Sequence, residues 1–97
     1  FAKVHIITIL GKQVLELKTL KIWLNSFRNT GISHEDATNF IADTLMKEMK
    51  LQYIFVLMEY SARGNLHTFP MTERVKIKIV PFEVNEIKKH IIDKIMK

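Results

Sequence analysis

Two short charged clusters hold the side chains best suited to chemistry in this chain. They are Glu16-Leu17-Lys18 and His34-Glu35-Asp36, joined by a segment that repeats Lys18, Lys21, Asn25 and Arg28 at three- and four-residue spacing. A carboxylate such as Glu35, at an apparent helix start, can help hold a small polar ligand. It equally suits the first turn of a helix, where negative charge meets the positive end of the macrodipole. His34 by itself reads as a surface histidine beside a cap, so its case depends on Glu35. Lys18 and Lys21 could meet phosphates, or form a solvated lysine stripe.

Other chemistries lack their residues. The chain has no cysteine, which removes a thiolate metal site and a thiol nucleophile from within it. His5, His67 and His90 are scattered without ligand spacing, so no metal is expected. A Rossmann site is excluded because there is no GxGxxG. Arg74, Lys76 and Lys78 alternate along one strand face, but no aromatics interleave with them as a single-strand nucleic-acid site requires. A charge-protected edge strand accounts for them better.

The 97 residues suit one domain, 1–97, and a 47% hydrophobic fraction with five Gly and Pro residues predicts a packed core. The net charge of +5 favours an anionic partner without naming one. No apolar run approaches the roughly 20 residues of a membrane span, and no leader pattern opens the chain. No membrane association and a cytoplasmic location are the expectation.

Residues 2–10 are β-branched and read as a strand. From Glu16 to about Arg28, Leu20, Trp23, Leu24 and Phe27 recur at helical spacing. That predicts a first helix with Glu16 at its N-terminal end. Ser33 with Asp36 opens a second helix in a capping-box arrangement, its buried face being Ala37, Phe40, Ile41, Leu45 and Met49. Residues 51–60 predict a buried strand, and 66–80 an interrupted last strand with Val75, Ile77 and Ile79 inward. Val84, Ile87, Ile91 and Ile95 form the stripe of a C-terminal helix, better suited to a core or subunit contact than to a membrane surface. The predicted class is α+β, an antiparallel sheet with a helix pair on one face.

The run ELKTLKIW resembles the signature of the NADPH-dependent 7-cyano-7-deazaguanine reductases, the nitrile reductases of queuosine biosynthesis for tRNA modification. Six of its eight positions fit, Thr19 and Ile22 being the departures. SFRNTGISHEDATN is similar to that family's Ser-Phe-Arg-Asn stretch and His-Glu pair. SARGNLHTFP resembles its Arg-Gly-Gly turn, with Asn65 in place of the second glycine. The resemblance covers 1–70, and residues 71–97 add a last strand and a helix without usable likeness.

The resemblance implies the tunnelling fold, a strand-strand-helix-helix-strand-strand unit, here expected to lack its first strand through N-terminal truncation. It implies reduction of the nitrile to 7-aminomethyl-7-deazaguanine through a Cys thioimide, with NADPH as reductant. The family's Cys and its Asp proton donor would fall before Phe1, leaving no catalytic residue in this chain. Leu15, Glu16, Leu17, His34 and Glu35 would bind the deazaguanine, and Lys18, Lys21, Arg63 and Gly64 the cofactor. A homo-oligomer with sites between subunits and no direct nucleic-acid contact is implied. The alternatives are the related amidinotransferase acting on the same nitrile in tRNA, and a non-catalytic module that binds a purine-like ligand or only oligomerises.

Overall fold

A computed structural model describes residues 2–10, 14–22, 34–61 and 67–95. The elements are β1 (Ala2–Leu10), β2 (Val14–Ile22), α1 (His34–Glu48), β3 (Leu51–Ser61), β4 (His67–Thr68), β5 (Met71–Val75) and α2 (Phe82–Ile95). The strands form one antiparallel sheet in the order β2-β1-β3-β4, with β5 also on β3. This α+β arrangement is consistent with a tunnelling-type fold.

Both sheet faces are covered, and that explains why the central strand reads as an unbroken apolar run. On one face Val4, Ile6, Ile54, Val56 and Met58 pack against Ala42 and Met46 of α1. On the other, Ile7, Ile9, Tyr53, Phe55 and Leu57 pack against Val84 and Ile91 of α2. A strand buried on both sides has no polar face to alternate. The predicted α2 stripe is met in full, since Ile87 and Ile95 join that second cluster.

The predicted helix over 16–28 is corrected. Val14–Ile22 is a strand paired with β1 from Leu10↔Val14 to Ala2↔Ile22. Glu16 is therefore on a strand and caps no helix. The later part of that expected helix, with Trp23, Leu24, Asn25, Phe27 and Arg28, lies outside the described residues, as does the Ser33 cap. The strand that truncation was expected to remove is also accounted for. Two strands precede α1, and the segment taken for a helix supplies the second.

Two apolar faces are corrected as well. In α1 the buried residues are Ala37, Thr38, Ala42 and Met46, while Phe40 and Met49 are exposed. Thr38 enters the core because its hydroxyl finds the Met58 sulfur at 3.1 Å. The last strand is interrupted, as expected, at Phe69-Pro70, where proline has no N–H to donate. It then stops at Val75 instead of running to Val80. Of the residues expected inward, Ile77 does pack against the second cluster, but Val75 and Ile79 are exposed. Arg74, expected outward, turns to α1 and donates to Asp43 (2.8 Å) and Asn39 (3.1 Å).

Lys50, between α1 and β3, has φ of 51°, the left-handed conformation that ends helices and usually falls to glycine. Across the other face, Lys88 of α2 donates to Glu73 of β5 at 2.7 Å and lies 5.4 Å from the Phe55 ring centre. Glu73 also accepts from the buried Tyr53 hydroxyl, so one carboxylate ties α2 to two strands.

Candidate functional site

A strand places side chains with a period of two, which divides the ELKTLK segment between opposite faces of the sheet. Glu16 pairs in register with Thr8 and Lys18 with Ile6, putting both on the α1 side. Leu17 and Thr19 pair with Ile7 and His5, on the α2 side. Leu15 packs into the apolar cluster beneath α2, whereas Glu16, Leu17 and Lys18 are exposed. Lys18 Nζ lies 3.3 Å from Glu16 Oε1. Lys21 occupies a position of the opposite parity to Lys18, so the two do not form the single-face pair that a helix would have given.

β2 also has no strand partner beyond β1 among the described residues, so its outer edge is open. The two lysine positions therefore suit a ligand lying along that edge better than one lying on either face. Arg63 and Gly64, the other expected cofactor contacts, lie outside the described residues.

His34 and Glu35 are the first two residues of α1, and Glu35 is exposed in its acidic first turn. The helix forms here because Ile41, Ala42, Leu45 and Met46 give it an apolar face for β1 and β3. The Thr38–Met58 bond fixes the start of α1 at the level of Met58, which is opposite Val4 and hence beside Leu20. Glu16 is level with Thr8 and Ile54. From Ile54 to Met58 the strand advances about 13 Å at roughly 3.3 Å per residue. The two expected substrate segments therefore stand at different levels of the same sheet and do not close one pocket around a base.

A side-chain group that sequence reasoning passed over lies on the α2 side of β1 and β2. His5 Nδ1 is 3.0 Å from Thr19 Oγ1, and its Nε2 is 3.4 Å from Glu59 Oε2. A carboxylate only accepts, so with neutral His5 the Nε2–H donates to Glu59 and Nδ1 accepts from the Thr19 hydroxyl. These three residues line a cleft of about 580 Å³ together with Leu17 and residues of α2. Nothing in the spacing of His5, Thr19 and Glu59 along the chain announces this meeting. It is produced by strand register.

The described residue with the largest pKa perturbation lies elsewhere. Burial, then the hydrogen bond and charge of Glu73, push the Tyr53 phenol far above its usual range. For Glu73, desolvation acts upward, but hydrogen bonds from Lys88 and Tyr53 and the charge of Lys88 outweigh it and hold the carboxyl below its usual range. This group joins elements and is not among the residues that line the cleft beside His5. Among the described residues no cluster of His, Asp and Glu is arranged to hold a metal ion. No described helix is long and apolar enough to cross a membrane.

Comparison with known proteins adds the lineage. The 7-cyano-7-deazaguanine reductase named as NADPH-dependent from Nitratiruptor sp. is 47% identical over 68 residues, covering 70% of this chain and 52% of the relative. The protein of the same name from Aquifex aeolicus is 47% identical, with 70% and 53% covered. That from Bdellovibrio bacteriovorus is 46% identical over 70 residues, with 72% and 41% covered. The chain thus spans about half the length of the curated relatives it matches. No solved structure gives a significant match. The family model described as QueF-like protein matches residues 1–78, which include all three motif segments and extend to Lys78, and the chain belongs to that family.

Proposed function

We propose that this chain is the base-recognition portion of a 7-cyano-7-deazaguanine reductase, reducing the nitrile to 7-aminomethyl-7-deazaguanine with NADPH in queuosine biosynthesis. The observation that carries the reading is the family match across residues 1–78, with relatives of that name near 47% identity. Glu35, exposed at the start of α1, would accept the adjacent N–H groups of the deazaguanine, with His34 beside it. Leu15, Glu16 and Leu17 would supply the second substrate segment.

The separation of these segments within one copy supports a site built between copies, each contributing one segment. The open edge of β2 supports association through the sheet. NADPH enters as the reductant through the relatives' names. The exposed Lys18 and the Lys21 position would contact it from the open edge, with Arg63 and Gly64. A free base as substrate requires no direct nucleic-acid contact and fits a cytoplasmic setting. The covalent thioimide needs a thiolate that these 97 residues do not contain.

The test is NADPH oxidation with the nitrile base as substrate. The 97-residue chain alone should consume none, and turnover by it would overturn the nucleophile argument. A longer protein carrying a cysteine-containing segment joined ahead of Phe1 should turn over. Its failure to do so while still binding the base would favour a second reading. That second reading is a purine-binding module without catalysis.

A further inference from the structure

The cleft between the β1–β2 hairpin and α2 is a second place for a ligand, and none of the residues assigned above except Leu17 belongs to it. One wall is apolar, made by Leu17, Ile91 and Ile95. The lining also carries Lys3 from β1 and Lys94 from α2, both exposed and in no ion pair among the described residues. His90 lies one helical turn before Lys94 on the same wall. The cleft's single carboxylate, Glu59, is opposite Lys3 in register but is engaged with His5 instead.

We infer that this cleft binds a small organic phosphate, its phosphate group between Lys3 and Lys94 and its body against Leu17 and Ile91. Two features of the cleft favour an anion of that kind. Two ammonium groups line the cleft with a single carboxylate, itself hydrogen-bonded to His5, so the lining carries uncompensated positive charge. The volume of about 580 Å³ falls within the range of small-molecule sites, and its mixed lining suits a ligand with one charged and one flat apolar end. Thr19 and the imidazoles of His5 and His90 add hydrogen-bonding groups to the same lining.

The phosphate could come from the proposed reductant or from another phosphorylated metabolite, and one titration series separates them. Calorimetry of the 97-residue chain with ADP should show saturable binding, of order 1 mM or tighter. Lys3→Ala and Lys94→Ala should each weaken it about tenfold, as loss of a charge-assisted contact does. Lys47→Ala removes the same charge from α1 on the other side of the sheet and should change it less than about twofold. If NADPH loses affinity with the same two substitutions, the cleft holds the cofactor phosphate. If NADPH is unaffected while ADP weakens, the ligand is a separate metabolite, and the site stands either way. Absence of saturable ADP binding, or equal weakening by all three substitutions, would overturn the proposal. None of these outcomes depends on the chain being part of a reductase.

Discussion

Tyr53→Phe tests how the sheet holds α2. The Tyr53 ring is fully buried, and its hydroxyl donates to Glu73, which also accepts from Lys88 at 2.7 Å. Phenylalanine keeps the ring, so no cavity opens and only the hydrogen bond is lost. Bonds to charged groups contribute about 1.5–3 kcal/mol. The Glu73 side chain is 37% exposed and keeps Lys88, so water can replace part of the lost bond and the expected cost is about 1 kcal/mol. Glu73→Ala should cost more, about 2 kcal/mol, because it orphans the buried hydroxyl as well as releasing Lys88. In the double variant the orphan no longer exists. Its cost should therefore fall below the sum of the singles by about 1 kcal/mol. Urea unfolding followed by circular dichroism reads each value, with midpoint shifts of roughly 0.5 M for Tyr53→Phe and 1 M for Glu73→Ala. Strict additivity, or a Tyr53→Phe midpoint equal to that of the parent, would refute the argument that this hydroxyl and carboxylate are coupled.

The same pair sets a pH dependence with two arms. Glu73 is depressed when folded, so its contribution is present above the ordinary carboxylate range and is lost as pH falls through its lowered value; Glu73→Gln should flatten that acid arm. Tyr53 is raised, so its contribution holds below about pH 10 and declines above it, and Tyr53→Phe should lack the alkaline decline in stability against pH. Ile91→Ala, at a nearly buried position of α2 against Ile7, Ile9 and Leu57, should cost about 3 kcal/mol in the same urea assay. Lys50→Gly should be neutral or stabilising by up to about 1 kcal/mol, since the left-handed backbone suits glycine; destabilisation would contradict the φ of 51°. In a longer protein that carries this chain, Glu35→Gln should, on the proposed function, weaken deazaguanine binding at least about tenfold by calorimetry while shifting stability by under about 0.5 kcal/mol, because Glu35 is exposed.

Composition and local pattern alone carried the α+β class, β1, α1, β3 and α2. These elements are long and strongly patterned, and their apolar residues are dense enough that one reading dominates. The three motif segments were also legible as residues, and with them the family. Tertiary pairing decided the state of residues 14–22. Leu20 begins a helical spacing that continues through Trp23, Leu24 and Phe27, but nine registered pairs with β1 hold its first part extended. A strand satisfies its backbone through a neighbour, so no local window can weigh that gain against helical periodicity. The same dependence on register split Glu16 and Lys18 from Leu17 and Thr19, and brought His5 to Thr19 and Glu59 from distant points of the chain. Residues of types suited to chemistry could be picked out in one dimension. Which of them share a face could not, because a face belongs to the pairing of strands and not to any one of them.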